Sequence, residues 1–170
     1  MFPKLIAFDL DYTLWDLWID THVTGPLRLS GDTVVDAHGT PVEFYSEVPG
    51  ILRRLHSEGV LLAACSRTHA PNLAHQALKL LVVPGNDGGP AQAAIELFDD
   101  LEIYPGSKLA HFRAVHSKTG VPYEQMLFFD DEPRNREVES LGVTFHLTPT
   151  GVDSATFDAG VQTWRRRVRS

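Results

Sequence analysis

Three short apolar runs limit what this chain can fold into more than any other feature. Each one ends in a polar residue: KLIAFD (4–9), VLLAACS (60–66) and MLFFDD (126–131). Two shorter runs, LEIY (101–104) and VTFHL (143–147), have a similar character. Strands that are covered on both faces have continuous apolar sequences, whereas half-exposed strands alternate apolar and polar residues. The runs therefore predict five strands that are buried on both faces.

Segments with the helical spacing of apolar residues lie between these runs. They cover 50–58, 71–81, 109–119 and 133–141, with proline at the start or glycine after the end. Strands that alternate with helices of roughly ten residues indicate β-α-β crossovers, which produce a parallel sheet with helices on both faces. A chain of 170 residues is the usual size of one domain. We expect a single α/β domain over 1–170.

Two stretches interrupt the alternation. The first, 31–46, has two β-rich runs, Thr33–Val35 and Val42–Tyr45, around the turn-prone AHGTP, and it predicts a small β-hairpin insert. The second, 84–92, concentrates glycine and proline and predicts a flexible surface loop. Neither of the glycine patterns that cradle phosphates in nucleotide-binding folds occurs there. We interpret the second stretch as a connection rather than a site.

Composition and charge argue against several classes of function. The net charge of −7 disfavours a nucleic-acid binder that relies on a broad basic surface. One cysteine, Cys65, rules out an intramolecular disulfide and fits a reducing compartment. No apolar run approaches the ~18 residues of a membrane span, and no signal-peptide core is present, so the expected location is cytoplasmic. The basic tail WRRRVRS (164–170) fits either a solvated helix end or an anion-facing tail.

Chemically active side chains collect where the predicted strands end. In an open parallel sheet, ligands bind beyond the carboxyl ends of the strands. The residues expected at that edge are Asp9, Asp11, Ser66, Arg67, Asp130 and Asp131, with Lys108 entering from the YPGSK segment. Clustered carboxylates are costly unless a cation neutralises them. No cysteine–histidine cluster accompanies these acids, and hard oxygen ligands suit Mg²⁺ completed by water and substrate phosphate.

The spacing of the two aspartates after the first strand suggests their roles. Carboxylates, a hydroxyl and a lysine beside Mg²⁺ form a site for phosphoryl transfer. Asp9, the last residue of its strand, can attack phosphorus in line and form an aspartyl-phosphate. Asp11 can protonate the leaving oxygen and then activate water, and its backbone carbonyl can ligate the metal. Thr13 would steady the turn that follows.

Four motifs resemble those of the haloacid-dehalogenase-like (HAD) phosphatase superfamily. DLDYT (9–13) matches its D-x-D-x-T signature, and CSRT (65–68), Lys108 and FFDDEPRN (128–135) resemble its second, third and fourth motifs in the same order. More narrowly, FDLDYTLW, SRT, IYPGSK and FFDDEPRN together resemble the magnesium-dependent phosphatase-1 family, over about Lys4 to Leu147. The Gly/Pro-rich stretch at 84–92 departs from that family's pattern.

The resemblance implies a Rossmann-like fold with a small hairpin as cap, Mg²⁺ dependence, and hydrolysis of phosphomonoesters such as phosphotyrosine and sugar phosphates. It implies Asp9 as the nucleophile and Asp11 as the acid/base. The substrate contacts that it implies are Leu10, Asp11, Trp18, Ser66, Arg67 and Lys108. The metal ligands that it implies are Asp9, the Asp11 carbonyl and Asp131. Asp130 would support these ligands without binding the metal itself. The partner would be a phosphorylated small molecule or a phosphoprotein, without nucleic acid or membrane.

Other functions are weighed against this one. A receiver-type regulatory domain also phosphorylates an aspartate near Mg²⁺, but it lacks an acid two residues later, so Asp11 favours the hydrolase. An idle, partner-binding fold is disfavoured by the intact set of acids and lysine, and a haloacid dehalogenase by the metal-site acids. The cysteine route to phosphotyrosine hydrolysis needs a Cys-x5-Arg loop, whereas Arg67 follows Cys65 after one residue. Phosphotyrosine on a protein and a sugar phosphate both fit an open site.

Overall fold

A computed structural model describes all 170 residues. The elements, in chain order, are β1 (Leu5–Phe8), α1 (Ile19–His22), β2 (Arg28–Ser30), β3 (Thr33–Val35), α2 (Val48–Ser57), β4 (Leu61–Ser66), α3 (Pro71–Leu80), β5 (Val82–Val83), β6 (Gln92–Ala93), β7 (Asp100–Ile103), α4 (Lys108–Thr119), β8 (Met126–Asp130), β9 (Thr144–Leu147) and α5 (Ser154–Arg169). Short 3-10 segments cover Asn86–Gly88, Ala94–Leu97, Tyr123–Gln125 and Pro133–Leu141.

Five of the strands form one parallel sheet in the order β7-β4-β1-β8-β9. They are the five strands that the apolar runs predict, and each predicted end lies within one residue of the observed end. The strand with the two aspartates, β1, is central and pairs with β4 on one side and β8 on the other. The prediction of an α/β fold with a parallel sheet flanked by helices is confirmed.

Both faces of the sheet are covered, which explains the continuous apolar runs. Along β1, Ile6 and Phe8 face a large core that includes residues of α2, α3 and α5. Leu5 and Ala7 face a smaller core with Phe112 of α4 and Val138. Alternate residues of a strand point to opposite faces, so a strand between two helix layers has no polar position. All four residues of β1 are fully buried.

The small hairpin exists, but its strands differ from the prediction. β3 coincides with the predicted run at 33–35, and its antiparallel partner strand is β2, which precedes it. The predicted contact with the segment after AHGTP is present in part, because Val35 bridges to Pro41 and the Val42 N–H donates to the Val34 carbonyl at 2.8 Å. The turn is the tight Gly31–Asp32, where Gly31 has φ of +63°. A two-residue turn with a glycine at positive φ closes a hairpin more directly than the longer AHGTP segment. The run at 42–45 forms no strand of its own, and beyond Val42 its Phe44 bridges to Trp15.

Two further stretches differ from the sequence-based expectations. Pro133–Leu141 is a series of 3-10 turns rather than an α-helix, and the amide of Asn135 within it donates to Asp130 Oδ2 at 2.8 Å. This side-chain bond holds the first turn of the segment against the end of β8, and the segment does not continue as a regular α-helix. The helix α5 was not predicted from periodicity, although its sixteen residues make it the longest element. It contains most of the basic tail.

The Gly/Pro-rich stretch at 84–92 connects β5 to β6, which pair as a second two-stranded antiparallel sheet. Arg53 of α2 ties both ends of this connection, because its guanidinium donates to the Pro84 carbonyl at 2.9 Å and to Gln92 Oε1 at 2.7 Å.

None of the helices combines the length and the apolar composition required to cross a bilayer.

Candidate active site

The turn after β1 fixes the two aspartates of the first motif. The backbone N–H of Asp9 donates to the Phe129 carbonyl at 3.0 Å, so the residue is still held by pairing with β8. The chain then turns sharply, and the N–H groups of Thr13 and Leu14 both donate to the Leu10 carbonyl. Tyr12 has φ of +55°, a left-handed conformation that costs free energy in a non-glycine residue. Such strain is most often found at functional sites.

The carboxylate of Asp9 has two partners from distant parts of the chain. Lys108 Nζ donates to Asp9 Oδ1 at 2.9 Å, and the same ammonium also donates to the Cys65 carbonyl at the end of β4. The hydroxyl of Thr13 donates to Asp9 Oδ2 at 3.2 Å, which confirms that Thr13 steadies this turn. Lys108 is the first residue of α4 and is only 1% exposed. Its ammonium is therefore committed to this site.

Three carboxylates lie together at the carboxyl ends of β1 and β8. One oxygen from each of Asp9, Asp130 and Asp131 falls within 4.8 Å of the others. Asp130 is fully buried, and its two oxygens accept from the Glu132 N–H and the Asn135 amide, both at 2.8 Å. Asp131 is partly exposed, and its nearest donor is the Thr13 hydroxyl at 3.4 Å. Asp131 therefore has more free acceptor capacity than Asp130.

The electrostatics of this cluster favour the binding of a cation. Burial raises the pKa of both Asp130 and Asp131, and the nearby charge of Asp9 raises each of them further. Lys108 offsets only part of the negative charge, because it contributes one positive charge against three carboxylates. Oxygen ligands with no histidine or cysteine among them are the set that Mg²⁺ prefers. The residues present therefore fit a magnesium ion.

The side chain of Asp11 points away from the three-carboxylate cluster. Its Oδ1 accepts from the indole Nε1 of Trp15 at 2.7 Å and from the backbone N–H of Ile19 at 3.2 Å. Burial raises the pKa of Asp11 to about 7, and the charge of Asp9 adds to the rise despite the bond from Trp15. A carboxyl group that is partly protonated near neutral pH can act as a general acid.

A cavity of about 580 Å³ opens at this edge of the sheet. Six residues that the sequence singles out line it together: Asp9, Asp11, Trp18, Ser66, Arg67 and Lys108. Ser66 accepts from the Thr68 N–H at 3.2 Å, so its hydroxyl proton is free to donate to a ligand. Arg67 donates to the Gly106 carbonyl at 2.7 Å. Leu10, which the resemblance also implies as a substrate contact, does not line the cavity, because it is fully buried in the core.

The sequence analysis missed several residues that line or support this cavity. Asp20, His69, Glu132 and Arg134 reach the rim from loops and short turns, where no periodic pattern marks them. Asn135 is 2% exposed, lines the cavity and bonds to Asp130. The one sequence signal for Asn135 is its position in the fourth motif, five residues after Asp130. Its Oδ1 is buried without a hydrogen-bond partner.

Comparison with known proteins supports the resemblance of the motifs. A family model described as Acid Phosphatase matches residues 1–167. The chain belongs to the acid phosphatase family. This member of the acid phosphatase family is 52% identical over 147 residues to a HAD-like hydrolase superfamily protein from Schizosaccharomyces pombe, covering 85% of this chain and 84% of that protein. It is 45% identical over 166 residues to human magnesium-dependent phosphatase 1, covering 96% of this chain and 88% of that one.

Solved structures share the fold of this acid phosphatase family member. A HAD family enzyme from Bacteroides thetaiotaomicron superposes with a TM-score of 0.65 at 14% identity, covering 93% of this chain and 99% of that one. At that identity the likeness concerns the fold. A parallel sheet with its ligand-binding residues at the carboxyl ends of the strands is the arrangement that the geometry above describes.

Proposed function

We propose that this chain is a Mg²⁺-dependent phosphomonoesterase that works through a phosphorylated Asp9. The observation that carries the proposal is the contact of Lys108 Nζ with Asp9 Oδ1 at 2.9 Å, beside two further carboxylates within 4.8 Å. A rigid carboxylate, a buried cation and a place for a divalent metal are the parts that phosphoryl transfer needs. The identity with human magnesium-dependent phosphatase 1 adds support.

Asp9, Asp131 and the backbone carbonyl of Asp11 would hold the metal. Asp131 suits a direct ligand, because Asp130 already accepts hydrogen bonds on both of its oxygens. Asp130 would then orient Lys108, whose Nζ lies 3.5 Å from Asp130 Oδ2. When bound, Mg²⁺ supplies positive charge that offsets the negative charge of the transferring phosphoryl group.

The reaction would proceed in two steps on this chain's own residues. An oxygen of Asp9 attacks phosphorus, the bond to the leaving oxygen breaks, and Asp11 gives that oxygen its proton. Asp11, now ionised, takes a proton from water, which attacks the phosphoryl group and releases Asp9 and inorganic phosphate. Ser66 and Lys108 donate hydrogen bonds to the phosphoryl oxygens throughout.

Substrates would be phosphotyrosine, free or on a protein, or small sugar phosphates. The cavity is open and mostly polar, with Trp18 as its one large aromatic side chain, so it accommodates either class. We expect the activity in the cytoplasm, because the single cysteine of the chain, Cys65, is buried and unpaired, as is usual in a reducing compartment.

The test is hydrolysis of p-nitrophenyl phosphate by wild type, Asp11→Asn and Asp158→Asn, each with Mg²⁺ and with EDTA. Asparagine at position 11 can still accept from Trp15 and Ile19, so the fold is retained while the proton is lost. Asp158 is exposed on α5, far along the chain from the motifs, and serves as the matched control. We expect Mg²⁺-dependent turnover that collapses only in Asp11→Asn.

Two results would contradict the proposal. Turnover that is equal in EDTA and in Mg²⁺ would remove the metal from the reaction. No turnover by wild type, together with stable labelling of Asp9 by acetyl phosphate, would indicate a receiver-type switch instead. A comparison of kcat/KM for phosphotyrosine and for a hexose phosphate would then rank the two substrate classes.

A further inference from the structure

The buried face of α4 carries two polar side chains, Lys108 and His111, which lie one turn apart. Lys108 belongs to the proposed site, whereas His111 has no part in the proposed reaction. His111 is fully buried and does not line the cavity, so its side chain does not reach a substrate there. Any effect of His111 on the reaction therefore acts through a neighbouring residue.

That neighbour is Tyr104, the residue that follows β7. The imidazole Nε2 of His111 lies 3.0 Å from the Tyr104 carbonyl oxygen, and the two rings meet edge to face with their centroids 4.5 Å apart. Burial and the charge of Lys108 lower the pKa of His111 to about 4, so the imidazole is neutral at pH 7 and carries one ring proton. A carbonyl oxygen can only accept a hydrogen bond, so that proton is on Nε2.

Stability alone does not explain a histidine at this position. With the proton on Nε2, the Nδ1 atom is an acceptor, and it is buried without a hydrogen-bond partner. A buried polar atom without a partner costs free energy, whereas the other buried residues of α4 nearby, Phe112 and Val115, carry no such cost. The hydrogen bond to the Tyr104 carbonyl is what histidine supplies here and an apolar side chain does not.

The Tyr104 carbonyl belongs to the turn that joins β7 to α4, which we call the 104–107 turn. Three of its four residues, Pro105, Gly106 and Ser107, line the cavity. The turn lies outside the helices and strands of the fold. Individual hydrogen bonds therefore determine where its backbone lies.

Two further hydrogen bonds tie the 104–107 turn to residues that would bind the substrate. The Tyr104 N–H donates to the Ser66 carbonyl at 3.0 Å, and the Gly106 carbonyl accepts from Arg67 Nε at 2.7 Å. Lys108 follows the turn directly. A displaced turn would therefore move Ser66, Arg67 and Lys108 together.

We propose that His111 is a positioning residue for the phosphate-binding part of the cavity. Its Nε2–H group holds the Tyr104 carbonyl, and the 104–107 turn passes this constraint on to the three substrate-binding residues. His111 therefore affects the binding of the phosphoryl group, which all substrates share, and not the binding of the leaving group. This inference rests on the proposed function for the phosphate-binding role of those three residues.

Variants of two histidines on the same helix test the inference. His111→Phe keeps a buried ring but cannot donate to Tyr104, whereas His111→Gln keeps an amide donor at about the position of Nε2. His116→Phe is the matched control. His116 also contacts a carbonyl, that of Val121, through Nδ1 at 2.7 Å, and it stacks on a tyrosine, Tyr123. Neither of these two partners of His116 lines the cavity.

The kinetic measurements are KM for p-nitrophenyl phosphate and the inhibition constant of inorganic phosphate, both in Mg²⁺. Loss of one buried hydrogen bond is worth about a three- to tenfold change in affinity. We expect His111→Phe to raise both constants by about this factor, His111→Gln to recover part of the loss, and His116→Phe to change neither. If His111→Phe does not fold, His111→Asn replaces it, because the shorter amide reaches only the position of Nδ1.

A purely structural role for His111 gives a different kinetic result. A destabilised protein contains less active enzyme, which lowers kcat and leaves KM and the inhibition constant unchanged. That pattern in His111→Phe, or an equal rise of both constants in His116→Phe, would overturn the positioning role while leaving the phosphatase intact.

Calorimetric titration with inorganic phosphate in Mg²⁺ supplies a readout that does not depend on turnover. We expect a Kd about three- to tenfold higher in His111→Phe than in wild type or His116→Phe. If wild type binds phosphate but hydrolyses no ester, the proposed function fails, whereas the same difference in Kd still supports the positioning role. Equal Kd values in all the variants would overturn the positioning role, whatever the turnover. Wild type that neither binds phosphate nor hydrolyses an ester would reject both.

Discussion

Lys108 is the residue on which the electrostatics of the site depend most. Burial alone would lower the pKa of its ammonium, but Asp9 and Asp130 outweigh that effect and raise it. The ammonium is therefore charged in the fold, and the two buried carboxylates depend on it. Removal of one partner from a buried ion pair leaves the other charge uncompensated, which costs more than the pair itself contributes.

We predict that Lys108→Met lowers the free energy of unfolding by about 3–5 kcal/mol, because Asp9 and Asp130 then lack a cation. Added Mg²⁺ should offset part of this loss by taking the place of the ammonium charge. Denaturant unfolding with EDTA and with Mg²⁺ measures both effects. The control is Lys79→Met on the exposed face of α3, for which we expect a change within about 0.5 kcal/mol. An equally small change in Lys108→Met would contradict the electrostatic argument.

We predict that Asp9→Asn abolishes turnover and leaves the fold intact. The amide oxygen can still accept from Lys108, and the amide NH2 can donate to the Thr13 hydroxyl oxygen, but the amide oxygen is a far weaker nucleophile than a carboxylate. Activity should fall more than about a hundredfold, because covalent catalysis contributes more than that. Turnover of p-nitrophenyl phosphate tests the loss of activity, and the near-ultraviolet circular dichroism spectrum tests whether the fold is intact. A variant that retains a larger share of wild-type activity would remove Asp9 from the nucleophile role.

Among single residues of the site, those that end strands can be predicted from the sequence, whereas those that reach the site from short turns cannot. Asp9, Ser66 and Asp130 are predictable, because each one ends an apolar run whose register in a parallel sheet follows from burial. Asn135 depends on how 3-10 turns fold back on β8, and Asp20, which lines the cavity, depends on a four-residue helix. Segments this short have no periodicity to detect.

The helix α5 packs closely against the sheet at Gly160. A Cβ added at Gly160 would lie 2.5 Å from Phe129 Cζ in β8 and 3.2 Å from His146 Cγ in β9. Phe129 is itself stacked between Phe8 of β1 and Phe157 of α5. It also immediately precedes Asp130. The glycine therefore sets how near α5 comes to the strand that carries the cluster acids.

We predict opposite effects for two glycine-to-alanine changes in helices. Gly160→Ala should lower the free energy of unfolding by about 1–3 kcal/mol, because the methyl group overpacks against Phe129. Gly50→Ala in α2 should raise the free energy of unfolding by about 0.5–1 kcal/mol. No atom lies within 4 Å of the added Cβ, and alanine has a higher helix propensity than glycine. Denaturant midpoints of both variants against wild type make the comparison. A stabilising Gly160→Ala would show that α5 can move away freely.

Element boundaries are predictable where both faces of a strand are buried and less so elsewhere. All five sheet strands follow from their apolar runs, since two helix layers leave them no polar position. The strand β2 is not predictable in this way, because all three of its residues are exposed and carry no pattern. In α5, four arginines obscure the apolar stripe of Phe157, Val161 and Trp164.

For the molecule as a whole, the raised carboxyl pKa values make the free energy of unfolding depend on pH and on metal binding. Burial raises the pKa of Asp11 to about 7 and also raises those of Asp130 and Asp131, whereas the unfolded chain keeps ordinary values. Between pH 8 and 6.5, the folded state therefore takes up protons that the unfolded state does not. Stability rises as pH falls when the folded state binds more protons. His111, whose pKa burial lowers to about 4, acts in the opposite sense as the unfolded imidazole becomes protonated below about pH 7.5, but it is one group against three carboxyl groups.

We predict that, in EDTA, the free energy of unfolding increases by about 1 kcal/mol as the pH is lowered from 8 to 6.5. In saturating Mg²⁺ this increase should become smaller, because a bound cation holds Asp131 ionised, whereas the Asp11 side chain, which is not a proposed ligand, still takes up its proton. Guanidinium unfolding at both pH values, with and without metal, gives the four numbers required. The same pH dependence in EDTA and in Mg²⁺ would mean that the metal does not bind at these acids.

The central position of β1 also governs when the protein can first become active during its synthesis. Asp9 leaves the ribosome before either strand that flanks it, and the acids at the end of β8 follow only after most of the chain has been translated. A nascent chain that stops short of Asp131 carries the proposed nucleophile beside an unpaired strand edge and lacks one of the three proposed metal ligands. Catalytic competence therefore arrives late and all at once, and translational arrest anywhere before β8 yields an inert fragment with an exposed, aggregation-prone strand.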